Sequence, residues 1–460
     1  MLGDIFVSYV NDVEFILSEC VRFSKMDSAD LQNIPAFEAL SFLPHPSGRG
    51  IMICGVSAYQ RIGDIADLAI SRSLYTGRIH RQSVIEKLKQ VIVQRFLCEL
   101  RELEAREVSK AVNWAINSAA KGTSDTVHLI PCHLGHTKNP EKFSIGPVMF
   151  ERTDSVIHRL RADFDDFVDR EPNENNKDTA RFYRDKSIEY YNTFGWIAEI
   201  KIAGCDNLIS ESRATRIVQY AIDCVHLLVG SHHSKHIRIG GPSFAPDRRA
   251  KIVLNAEGKL SISASVDWLS DGLPEGWWKA LNSKDRVELL ALIGCAIEAG
   301  CGLPHPAPLA QRFLDAVSWF GEAVRDPFRA SRLIKYVTAI ERILSTKNEE
   351  KLAETLADRG SAMAMIVEGD SREVMRRKFK SVYDLRSRLV HGSRSPHDLG
   401  LGQGLIDAEQ LTRSVLFGAL LFFKEEGLRA KKVNIKSLDR GFGRLTEWAD
   451  KNMETDAAKQ

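Results

Sequence analysis

The eight cysteines of this chain (Cys20, Cys54, Cys98, Cys132, Cys205, Cys224, Cys295 and Cys301) form no Cys-x-x-Cys pair. Their scatter excludes a paired-thiol motif. Most lie in apolar company, where a free thiol acts as a small hydrophobe, so a reducing cytoplasm is the expected compartment. No apolar run is long enough to span a bilayer, and no membrane partner is expected. Met1-Leu2-Gly3-Asp4 lacks the basic stretch and apolar core of a signal peptide. An excess of one charge is also missing. The formal net charge is +2, so bulk charge does not announce a nucleic-acid binder. Ser47-Gly48-Arg49-Gly50 lacks the Gly-Lys-Ser/Thr ending of a phosphate-binding loop, which excludes a nucleotide site there.

What is present is the balance of a soluble globular protein, with 44% hydrophobic and 27% charged residues. At 460 residues the chain exceeds one ordinary core, and two or three domains are expected. Residues 1–168 read as a helix-rich region with a few strands. Ser83 to Asn117 carries apolar residues at helical spacing (Ile85, Leu88, Val91, Ile92, Phe96, Leu97, Leu100), continued to Ala120. Gly50 to Gly55, Val127 to Pro131 and Val148 to Phe150 read as strands, with Gly146-Pro147 as a turn. Asp169 to Asp178 is polar enough for a loop. Residues 178–303 read as a mixed α+β region. Trp196 to Ile202 alternates as a strand, Glu211 to Val229 is a helix, and Lys251 to Val266 is a β-hairpin turning at Ala256-Glu257-Gly258. Pro304 to Pro308 is the clearest boundary. From 309 to 427 five helices are expected, and 428–460 is a tail with a short amphipathic piece around Phe442, Leu445 and Trp448.

The fourth of these helices carries the most informative segment, Tyr383-Asp384-Leu385-Arg386-Ser387-Arg388-Leu389-Val390-His391-Gly392. Its glycine stands where a left-handed residue stops a helix. A guanidinium and an imidazole together suit phosphodiester cleavage without a metal. The bare spacing is not specific, since Arg152 and His158 are similarly spaced. Met375, Phe379, Val382, Arg386 and Leu389 form one stripe, so Arg386 interrupts an apolar face and needs a partner. Glu341, beside the stripe of the second helix, is the expected one. His391 lies roughly 140° round the helix from Arg386.

This segment resembles the signature of the HEPN superfamily, in particular the Apea-like HEPN family, whose members carry a Tyr-x-x-Arg-Ser-x-x-x-His-Gly-like sequence late in an all-helical domain. The stretch His128 to His133 followed by Phe143 to Val148 is similar, more weakly, to N-terminal regions of bacterial HEPN proteins. The resemblance implies an α+β, predominantly helical chain. Its C-terminal part would be a HEPN-type up-and-down helical bundle, preceded by a mixed α/β N-terminal region. It implies a homodimeric endoribonuclease in which two protomers bring their motifs into one cleft, in an antiviral-defence or toxin-type effector restrained by its N-terminal region and answering to a phage or protein trigger. Arg386 would stabilise the pentacovalent phosphate and His391 would act as general acid or base. Ser387 would orient the phosphate, with Arg388 and Tyr383 as RNA contacts. The products would be a cyclic 2′,3′-phosphate and a 5′-hydroxyl, with no metal and no cofactor, and DNA would stay uncut.

Two further readings stand beside this one: a non-catalytic RNA-binding scaffold, and a helical interaction module that Arg386 and His391 merely hold together. From Ser371 to Arg394 stand eight basic residues (Arg372, Arg376, Arg377, Lys378, Lys380, Arg386, Arg388 and Arg394) against Glu373 and Asp384. They form either a solvated face or a phosphate-attracting surface that includes Arg377, Lys380 and Arg394. His128, Cys132, His133 and His136, and likewise His232, His233 and His236, lack a distant second half, so no metal site is expected. Gly400, Gly402 and Gly404 read as a flexible loop. Trp277-Trp278 reads as a core anchor, with base stacking as the alternative.

Overall fold

Apolar residues at helical spacing dominate the chain, and in the computed structural model they fold it mainly into α-helices, with a five-stranded sheet and small antiparallel strand pairs beside them. The structure describes residues 2–26, 40–45, 47–135, 137, 139–241, 248–254, 259–266, 272–284, 286–346, 351–368 and 371–457. Contacts divide the chain into two units, residues 1–126 with 202–213, and residues 127–201 with 214–460.

In the first unit, helices Leu2–Ser24, Val56–Arg72, Arg81–Ile92 and Ala105–Ala120 enclose a core that includes Ile16, Ile62, Ile65, Ile85 and Val108. Strands β1 (Leu40–Pro44) and β2 (Ile51–Gly55) pair antiparallel beside it. The periodic stretch Ser83 to Asn117 is therefore not one helix. After Ile92 it widens into a π-helical turn, Val93–Cys98, and Leu100 adopts φ 51°. The two halves fold back on each other, which lets the stripe of Leu88 and Val91 meet that of Val108 and Ala115. Buried Asp206 serves two helix starts. It accepts from Ile209 N–H at the head of its own helix, and from His80 N–H and the Ser83 hydroxyl at the start of Arg81–Ile92.

A five-stranded sheet, most of whose residues belong to the second unit, has the order β4-β5-β6-β3-β7. Its strands are β3 (Ser124–His133), β4 (Lys142–Ile145), β5 (Val148–Arg152), β6 (Trp196–Cys205) and β7 (Arg238–Ile239). Gly146 turns β4 into β5 at φ +56° and lies against Gly294, where a Cβ would come within 2.9 Å of the Gly294 Cα. The loop expected at Asp169 to Asp178 shrinks to residues 170–173, because the Asn173 side chain accepts from Asn176 N–H and starts helix Glu174–Asn192. Strands β8 (Arg248–Leu254) and β9 (Leu260–Val266) form the expected hairpin, whose turn residues 255–258 lie outside the described ones.

Pro304 to Pro308 lies inside this unit. Helix Val287–Gly300 packs on helix Pro308–Arg325 across it, with Ala307 N–H bonded to the Ala299 carbonyl at 2.9 Å. Helices Arg329–Leu344, Leu352–Ala364, Arg372–Val390 and Gly402–Glu426 follow. Two expectations fail here. The glycines after the motif are not a loop. Gly402 and Gly404 open the last of these helices, and a Cβ on Gly404 would come within 2.3 Å of the Leu385 Cδ2. The amphipathic piece of the tail is not short. Ile435–Ala457 is a helix of 23 residues whose Phe442 is buried and stacks on Phe422.

Candidate functional site

Helix Arg372–Val390 buries Met375, Phe379, Val382 and Leu385. Phe379 rests on Gly360 of helix Leu352–Ala364, where a Cβ would come within 2.7 Å of its ring. Gly404 admits Leu385 in the same way. These two glycines fix the rotation of the motif helix. The helix ends as its sequence directs. His391 caps it, its N–H donates to the Ser387 carbonyl at 2.9 Å, and Gly392 takes φ +74°.

The rotation sends Arg386 inward. Its side chain is 23% exposed, and its Nη2 lies 3.4 Å from both carboxylate oxygens of Glu341, itself 19% exposed on helix Arg329–Leu344. Burial pushes the Glu341 carboxyl above its ordinary value, and the Arg386 guanidinium draws it partly back. Arg386 Nε is buried without a hydrogen-bond partner among the described residues, and the guanidinium stands 5.9 Å from the half-buried Tyr383 ring. His391, beyond the regular helix, is exposed to solvent. The pair is thus split, with the guanidinium seated against a carboxylate and the imidazole in water. Half-buried Ser387 makes no side-chain hydrogen bond among the described residues.

The basic run is neutralised more fully than its sequence shows. Arg372 is buried and paired with Asp450, and Arg376 reaches Asp358 at 2.6 Å. Arg394 holds Asp398 at 2.8 Å, and Arg388 lies 3.7 Å from Asp384. Asp358, Asp398 and Asp450 were missed because two of them stand on other helices. Asp398 lies four residues from Arg394, as Asp384 does from Arg388, and those spacings were readable as pairs. Exposed Arg377 and Lys380 have no carboxylate partner among the described residues. A cleft of about 360 Å³ on the bundle is lined by Glu368, Lys378, Arg413, Ser414 and Phe417, and neither Arg386 nor His391 reaches it.

Trp277 is buried edge-on against Phe143, centroids 5.1 Å apart, as a core anchor. His232 and His233 meet edge to face, with ring centroids 4.7 Å apart. His136 lies outside the described residues. Among those described, no three His, Cys, Asp or Glu side chains gather around a common point, and no helix is long and apolar enough to cross a membrane. Compared with known proteins, the chain matches no family model, no curated protein and no solved structure.

Proposed function

We propose that this chain is a metal-independent endoribonuclease of the HEPN class, with Arg386 and His391 as its catalytic pair on a HEPN-type bundle. The observation that carries the reading is the contrast at one helix end: a guanidinium held in place by Glu341, and an exposed imidazole one cap further on. Arg386 stabilises the charge on the pentacovalent phosphate. His391 takes the proton of the attacking ribose 2′-hydroxyl or returns one to the departing 5′-oxygen. The products are a cyclic 2′,3′-phosphate and a 5′-hydroxyl. Ser387 has a hydroxyl available to orient the phosphate, and exposed Arg377 and Lys380 offer uncommitted charge to the RNA backbone. Arg388, Arg394 and Tyr383 are secondary contacts. A two-fold dimer doubles this charge at one cleft. The effector acts in the cytoplasm, in antiviral defence or growth arrest.

One observation favours a second reading, a non-catalytic helical module: Arg386 already has an internal carboxylate, and most of the basic run is paired. Incubation of purified protein with RNA in EDTA separates the two. Under the ribonuclease reading wild type cuts RNA but not DNA, the ends are 2′,3′-cyclic phosphate and 5′-hydroxyl, and Arg386→Ala and His391→Ala each abolish cutting. Uncut RNA, with no toxicity on expression that Arg386→Ala relieves, leaves the helical module.

A further inference from the structure

The first unit holds a site on residues that the ribonuclease reading does not use. Helix Arg81–Ile92 widens into the π-helical turn Val93–Cys98, where Glu99 N–H donates to the Gln94 carbonyl at 3.0 Å. Leu100 then takes a left-handed conformation, φ 51°, although it carries a side chain that is 79% exposed. Arg101 N–H closes back on the Arg95 carbonyl at 3.0 Å. So exposed a side chain gives the strain no packing reason. A π-turn and a strained residue that is not glycine are both features that concentrate at functional sites.

Between this turn and helix Ala105–Ala120 lies a cleft of about 670 Å³, a volume typical of small-molecule sites. Trp114 lines it and is 43% exposed, so part of its indole face is open to the cleft. Glu107 holds Arg95 at 3.1 Å and Lys110 at 2.5 Å, while Glu99 holds Arg101 at 3.1 Å. Three cations therefore face two carboxylates, leaving one positive charge in excess. Gln90 and Gln94 add amides that both donate and accept. The open part of the Trp114 indole lines the same cleft as these charges.

We propose that this cleft binds a nucleoside monophosphate. The base stacks on Trp114. The phosphate lies on the guanidinium groups of Arg101 and Arg95, which keep free donors after pairing with their carboxylates. Gln90 and Gln94 bond the edge of the base or the ribose. The grip of Glu107 on Arg95 orients that guanidinium in advance, which lowers the ordering cost of binding.

The test is calorimetric titration of the full chain with the four ribonucleoside 5′-monophosphates, with adenosine and uridine, and with inorganic phosphate. At least one monophosphate binds saturably, and the nucleosides and phosphate alone bind at least tenfold more weakly. Trp114→Ala and Arg101→Ala alter exposed side chains, so each leaves the thermal melt in place and weakens binding at least tenfold. Absence of saturable binding by all four monophosphates up to about 10 mM, or binding that neither substitution changes, overturns the proposal.

Discussion

Glu341 reaches Arg386 from a neighbouring helix and contacts Nη2 through both of its oxygens at 3.4 Å. Both side chains are about one-fifth exposed, so the pair lies between a solvated and a buried ion pair. Arg386→Ala leaves a carboxylate that burial already disfavours, and should cost about 1–2 kcal/mol of stability. Glu341→Ala in the same chain removes that carboxylate. The double variant should recover most of the melting temperature lost by Arg386→Ala and still leave RNA uncut. Recovery of cutting along with stability would show that Arg386 acts only as a structural partner.

His391 should separate function from fold more cleanly. Its ring is exposed, and its fixed hydrogen bond is made by backbone N–H. His391→Ala should change stability by less than about 0.5 kcal/mol while abolishing RNA cleavage, measured on the same preparation by melting and by gel assay. Retained cleavage removes the imidazole from the proposed chemistry.

The motif helix was legible because its buried residues recur at spacings of three and four, and its end because glycine follows a cap. The partners of its charges were not legible. Asp358 and Asp450 are remote in sequence and join Arg376 and Arg372 only once helices pack. Alternating glycines read as a loop because glycine disfavours helix interiors. At Gly404 that cost is outweighed by the approach of Leu385, a tertiary contact that local propensity does not encode. The tail was misjudged for the same reason. Its helix is secured by tertiary contacts, with Phe442 stacked on Phe422 and Asp450 paired with Arg372.

That tail carries a prediction of its own. Arg372 is 4% exposed and, besides Asp450, donates to the Thr446 carbonyl at 3.3 Å. Burial holds the Arg372 pKa below its ordinary value. Asp450→Ala removes the carboxylate paired with this guanidinium and leaves only the more distant charge of Asp358, and should lower stability by about 1 kcal/mol. Arg372→Met with Asp450→Ala should be better tolerated than Asp450→Ala alone, as read by urea denaturation.

Gly418 gives a steric test of the bundle. A Cβ there would stand 2.3 Å from the Met363 carbonyl oxygen, a backbone atom that cannot rotate away. Alanine is intrinsically better in a helix by about 1 kcal/mol, yet Gly418→Ala should destabilise by about 1–3 kcal/mol through forced separation of the two helices. A variant that melts at or above the wild-type temperature would mean that the helices are not in this contact.

Asp223 gives the pH prediction. It is fully buried, its Oδ1 accepts from Arg325 Nη1 at 2.6 Å and from Gln219 Nε2 at 2.9 Å, and its Oδ2 has no hydrogen-bond partner among the described residues. Burial raises its pKa to about 6 against the opposing pull of Arg325. An acid whose folded pKa lies above its unfolded value of about 4 binds its proton more tightly in the folded state. Its contribution is therefore most favourable below about pH 4, declines as pH rises to about 6, and is constant above that. Two units correspond to about 3 kcal/mol as an upper figure. Asp223→Asn keeps the shape and the acceptor for Arg325 but does not titrate. The stability of wild type minus that of Asp223→Asn should fall across pH 4–6, and other groups cancel in the difference. A difference that stays flat across this window, and rises with pH only below about pH 4, would place the carboxylate of Asp223 in its charged form throughout, stabilised by Arg325 beyond the cost of burial.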